Sequence, residues 1–141
     1  MRRFVLIMCA TKKLNTKTRA KDLYVTPLFR LSWNYANKLS PDGIFILSAK
    51  HGLLVPDKET EPYDVTLNRM SASEIKNWAN QVLTKLTEYS DLDRDHFTFL
   101  AGQKYRKYLI PRMPHFEVPM EGLSIGKQLQ YLRRYLHESD M

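Results

Sequence analysis

With 141 residues, 43% hydrophobic and 26% charged, the chain has the size and balance of one domain with its own core. No apolar run approaches the roughly 18–20 residues that span a bilayer, and the single cysteine, Cys9, excludes an internal disulfide and fits a reducing cytoplasm. A formal charge of +7 and a pI near 9.5 favour a polyanionic partner, nucleic acid or a nucleotide first, over a protein whose charge only keeps it dispersed.

Arg2-Arg3 followed by Phe4-Val5-Leu6-Ile7-Met8 has the outline of a signal peptide, but the apolar run is too short and lacks a small-residue cleavage site. Arg3 to Cys9 reads instead as a central β-strand. Thr11 to Lys21 has no apolar periodicity and carries Lys12, Lys13, Lys17, Arg19 and Lys21 with no acidic residue. It is a mobile basic loop, either solvated or clamping a phosphate.

Thr26 as N-cap and Pro27 at the first helical position open a helix. Leu28, Leu31, Tyr35, Ala36 and Leu39 supply its buried stripe, and Ser40-Pro41-Asp42-Gly43 ends it. Ile44 to Leu47 is a second buried strand, after which Ser48-Ala49-Lys50-His51-Gly52 turns polar. Leu53-Leu54-Val55 is stopped by Pro56, and a charged loop leads to Pro62-Tyr63-Asp64.

Ser71-x-x-Glu74 is a capping box for a helix carrying Ile75, Trp78, Ala79, Val82, Leu83 and Leu86 on one face. Trp78 therefore belongs to the core. His96 to Ala101 is the third strand, Gln103 to Leu109 a short helix closed by Pro111, and Phe116 to Val118 a brief fourth strand. The last helix, Ser124 to about His137, is expected to bury Ile125, Leu129, Leu132 and Leu136 and to expose Lys127, Arg133 and Arg134.

This alternation predicts a single α/β domain over 1–141, a three-layer sandwich with a mostly parallel sheet of about four strands. Its strand ends would gather Thr11-Lys12-Lys13, Ser48-Lys50-His51, Gly102-Lys104-Tyr105 and Glu121-Gly122-Ser124 along the edge where α/β sheets bind ligands.

His51, with an ordinary pKa of about 6.5, suits acid–base chemistry, and Lys50 beside it would favour the neutral ring. Otherwise it caps the strand end. Asp64 could orient His51, hold a ribose hydroxyl, act as nucleophile or base, or cap the turn before Thr66. Ser48, Lys12 and Lys13 complete a polar set able to bind substrate. Tyr24, Tyr63 and Tyr105 could stack on a base, or lie at the boundary with buried rings and wet hydroxyls. Gly102 ahead of a helix offers backbone N–H groups to an anion, without a Walker or dinucleotide fingerprint. His51, His96, His115 and His137 are scattered, so neither a metal nor a cofactor is expected. Cys9 reads as a small core residue whose position at a strand end permits reactivity.

Cys9-x-x-Lys12, Ala20-x-Asp22-Leu23-Tyr24, Leu28-Phe29, Leu47-Ser48-Ala49-Lys50-His51-Gly52-Leu53, Pro62-Tyr63-Asp64, Ala101-Gly102-x-x-Tyr105 and Gly122-x-x-Ile125-Gly126 together resemble a family of small uncharacterised bacterial and phage proteins. More distantly, the chain is similar to peroxide-stress DNA-binding proteins and to a core domain of archaeosine synthase. The resemblance implies nucleic acid or nucleobases as the setting and carries no established reaction. Many members have Ser after the first-strand Cys where this chain has Ala10-Thr11.

The expected function is therefore an enzyme acting on a nucleotide, nucleobase or DNA, by N-glycosidic cleavage or transfer or by base modification. His51, Asp64 and Lys50 are its candidate catalytic groups. A non-catalytic DNA- or RNA-binding protein, of the kind a phage encodes, and a nucleotide-sensing module are the alternatives. No membrane partner is expected.

Overall fold

In the computed structural model, which describes residues 1–139, the chain is organised around β1 (Arg3–Met8). Residues 140–141, included in the domain expected from the sequence, lie outside the described residues. β1 pairs in parallel with β3 (Gly43–Ser48) on one side and β6 (His96–Leu100) on the other. Both faces of β1 are covered, which is why Phe4-Val5-Leu6-Ile7, all buried, is a continuous apolar run rather than an alternating one. β4 (Gly52–Leu54) adds antiparallel to β3, and β7 (Phe116–Glu117) adds parallel to β6. The order β4-β3-β1-β6-β7 is a five-stranded, mostly parallel sheet.

α2 (Pro27–Lys38) carries the chain from β1 to β3, and α3 (Ala72–Leu86) carries it back across β1 to β6. Right-handed crossovers running in opposite directions place these helices on opposite faces of the sheet. α5 (Ile125–Ser139) packs beside α2. The three layers expected from the alternation of elements are present.

Local signals explain the helix starts. Thr26 Oγ1 accepts from the Phe29 N–H at 3.2 Å, with Pro27 at N1. Ser71 and Glu74 form the reciprocal capping box, at 3.2 and 3.0 Å. Trp78 is buried, as its place on the α3 stripe requires.

Several boundaries differ from the sequence expectation. The buried stripe of α2 is Phe29, Ser32, Tyr35 and Ala36, while Leu28, Leu31 and Leu39 are only half-buried, because the helix meets both β1 and α5. The short helix is α4 (Gln103–Arg106), and Pro111 sits inside a following 3-10 turn, Ile110–Arg112. Ile125, expected in the core, is 65% exposed.

The basic segment is pinned rather than mobile. Leu14 N–H donates to Leu23 O and Val25 N–H to Lys12 O, closing an antiparallel bridge at Lys13 and Tyr24. A small ribbon, β2 (Thr18–Arg19) with β5 (Glu59–Thr60), and the single turn α1 (Ala20–Leu23) tie it to the loop after β4. Partners 40 and 42 residues along the chain, Glu59 for Arg19 and Thr60 for Thr18, hold the ribbon, and local propensity carries no trace of it.

Candidate functional site

The connection leaving β1 runs toward β3, and the one leaving β6 runs the other way, to β7. The carboxyl ends of β1 and β6 are therefore the topological switch point, where open α/β sheets leave a crevice. A cavity of about 410 Å³ lies there, lined by Ile7, Met8 and Cys9 from the end of β1 and by Leu100 from the end of β6. Its most enclosed lining residues, Ile7, Phe29, Ser32 and Leu100, are at most 3% exposed and form the floor. Thr11, Pro27, Asn68 and Ile125 are exposed and form the mouth. Among the described residues no Asp, Glu, Lys, Arg or His lines it. An uncharged, largely apolar hollow with a few fixed polar groups is the usual form of a small-molecule site.

Two of those polar groups meet in its wall. Cys9 Sγ lies 3.5 Å from the Tyr105 phenol, whose ring stands edge-on to Trp78 at 5.6 Å between centroids. Burial, reinforced by the neighbouring Cys9, pushes the Tyr105 phenol above its ordinary range, so it stays protonated.

Beside the cavity is a chain of hydroxyls. Tyr63 OH sits 2.6 Å from Tyr24 OH and 2.8 Å from Ser48 Oγ, and Ser48 also accepts the His51 backbone N–H at 3.1 Å. Three hydroxyls joined by two hydrogen bonds use two of their protons, so one proton remains for another acceptor. Desolvation raises both phenols, so this network is neutral at physiological pH. Trp78 Nε1 donates to Ser48 O at 2.8 Å and anchors the end of β3. Gly52 closes the β3–β4 hairpin with φ of 72°, a conformation that a side chain resists.

Lys13 lies over Tyr63, with Nζ 4.4 Å from the ring centroid, and donates to Thr11 O at 3.2 Å. Burial lowers its pKa, opposed by its proximity to Cys9 and Asp64. The His51 ring stands perpendicular to Tyr63 at 5.4 Å between centroids. Partial burial, then Lys50 and Lys58, lower its pKa, which favours neutral imidazole.

Of the residues that the sequence singles out, Lys13, Tyr24, Ser48, His51 and Tyr63 come together, and Tyr105 lines the cavity. Tyr24 is fully buried against Phe29, which leaves its ring no face for a base; its hydroxyl supports Tyr63. Ser48 is likewise fully buried. Asp64 points into solvent, its side chain 91% exposed and 3.8 Å from Arg69 Nη1. Among the described residues no hydrogen bond or ion pair joins it to His51, and neither lines the cavity. Thr66 caps the turn before Leu67 in its place, accepting from Asn68 N–H. Lys12 and Lys50 are exposed. The Gly102 N–H donates to Met8 Sδ at 3.2 Å, so it is not free for an anion. Among the described residues no cluster of three or more His, Cys, Asp or Glu could hold a metal, and no helix is long and apolar enough to cross a membrane.

This arrangement is carried by a fold that spans the match to one family. Residues 4–134 match the family of unknown function DUF6884. The chain belongs to DUF6884. It is also 32% identical to the uncharacterized protein YfjM of Bacillus subtilis (strain 168), over 98% of this chain and 97% of that one. No solved structure matches it.

In this DUF6884 chain, sequence reasoning passed over Ser32, Thr66, Asn68 and Gln128 as site residues and assigned Cys9 chiefly to the core. The signal that finds them is the switch point, and that depends on knowing that β6 pairs with β1.

Proposed function

We propose that the protein is an enzyme acting on a nucleotide, nucleobase or DNA, cleaving or transferring at an N-glycosidic bond or modifying the base. The observation that carries this reading is an uncharged cavity at the strand ends whose lining runs directly into a basic loop. Cys9 and Thr11 line the hollow, and Lys12 and Lys13 follow within the same backbone segment. A charge entering an apolar cavity is penalised, so a flat neutral base enters while its phosphate stays at the lysines. The overall charge of +7 acts in the same direction, as does the distant similarity to peroxide-stress DNA-binding proteins and archaeosine synthase.

In this reading the acid–base work falls first to Tyr105 and Cys9, which face the hollow, with His51 and the Tyr63 network at its side. Release or exchange of base from mononucleotides and single-stranded oligonucleotides tests it. Turnover lost in Tyr105→Phe and kept in His51→Ala places the chemistry in the cavity; the opposite pattern places it at the hairpin. No turnover with any nucleotide or oligonucleotide removes the enzymatic reading.

One observation favours a second reading, binding of a nucleic-acid strand without chemistry. Lys127, Arg133 and Arg134 are exposed on α5, and Lys127 and Arg134, seven residues apart, share a face.

A further inference from the structure

We infer that Ser32 is the specificity-determining residue of the cavity, its hydroxyl meeting a polar atom on the edge of a flat, uncharged heterocycle. This deepens the proposed function and rests on it. Ser32 lies on the buried stripe of α2 with Phe29 and Ala36, where packing alone calls for an apolar side chain. It is 3% exposed and lines the cavity floor. A serine inside a helix ordinarily satisfies its hydroxyl on the carbonyl four residues earlier. Here that bond is missing, and among the described residues the Ser32 hydroxyl has no hydrogen-bond partner. Nor is its oxygen sealed in protein: among the fully enclosed side-chain atoms of the described residues, only His96 Nδ1 lacks a partner. The Ser32 hydroxyl therefore opens onto the hollow, both donor and acceptor unspent.

A buried polar group without a partner selects for a ligand that supplies one and discriminates against a ligand that leaves it bare. The Cys9 and Tyr105 pair provides a second polar point in the wall, while Phe29, Leu100 and Met120 supply apolar surface. Polar atoms on the ring edge, apolar faces and no charge within the hollow describe a nucleobase, and the lysines at the mouth add an anionic substituent outside it. A fatty acid also combines an apolar body with an anionic head, but leaves Ser32 unpaired.

The test measures binding of the nucleoside 5′-monophosphates and of decanoate, by calorimetry, to wild type, Ser32→Ala and Ser32→Thr. Wild type is expected to rank the nucleotides, and Ser32→Ala to weaken the best of them by about tenfold and flatten the ranking. Ser32→Thr, which keeps the hydroxyl, restores the ranking, and circular dichroism confirms that each variant is folded. Nucleotide binding with unchanged affinity and ranking in Ser32→Ala overturns the role of Ser32 and leaves the proposed function standing. Decanoate bound without any nucleotide, or no ligand bound at all, overturns both.

Discussion

Cys9 Sγ and the Tyr105 phenol oxygen lie 3.5 Å apart although 96 positions separate them along the chain. β1 and the turn after β6 bring them together, so the contact ties the wall of the cavity to the sheet pairing beneath it. Replacing Tyr105 by Phe keeps the ring against Trp78 and removes only the hydroxyl. The variant is expected to fold with a loss of about 0.5–1.5 kcal/mol, read by urea denaturation. A far larger loss would mean that the hydroxyl has a structural duty beyond this contact.

Trp78 ties α3 to the end of β3 through its bond to Ser48 O. Trp78→Phe keeps much of the apolar volume and deletes a buried hydrogen bond, so stability should fall by about 1–3 kcal/mol. Because the anchored residue is Ser48, the His51 and Tyr63 ring signals should shift in the NMR spectrum. Unmoved signals would show that the hairpin holds its shape without the indole.

Gly52→Ala meets only ordinary van der Waals contact, with Val82 Cγ2 3.6 Å from the added carbon, so any cost is conformational. With φ at 72° that cost is about 1–2 kcal/mol, read as a lower denaturant midpoint with unchanged slope.

The His51 pKa is lower in the folded protein than in the unfolded chain. Folding therefore favours the neutral ring: the contribution is present above about pH 6.5 and is lost as pH falls through the folded-state value. His51→Gln should flatten the decline in stability over that acidic window and leave the slope at pH 8 unchanged. Direct NMR titration of the ring should give a midpoint below 6.5. A midpoint above it reverses the sign.

If α5 contacts a nucleic-acid strand, the logarithm of the affinity for a single-stranded oligonucleotide falls linearly with log salt. Replacing Lys127 and Arg134, which share a face of the helix, by Ser then lowers that slope by roughly 1.4. An unchanged slope assigns the strand contact elsewhere.

Much of the fold was legible because its signals are local. The Thr26 cap, the Ser71 and Glu74 box and the apolar runs of β1, β3 and β6 each specify an element from neighbouring residues. The site was legible in part. Tyr63, Ser48 and His51 lie within one hairpin and the loop after it, and their meeting follows from proximity along the chain. The cavity was legible only at its strand-end rim and Tyr105, because Ser32 and Gln128 come from two helices that sequence alone does not bring to that rim. Ser32 in particular sits on an apolar stripe, where periodicity reads it as an imperfection. Strand order, which sequence alone leaves open, is what makes it a feature of the site.

The outer strands have a consequence of another kind. β4 at one border runs three residues and β7 at the other runs two. Pro56 follows closely on the first, and Pro114 and Pro119 bracket the second. A stray strand from another molecule would find too little continuous backbone on either rim to extend the sheet, so these borders guard the apolar centre against fibril-like growth.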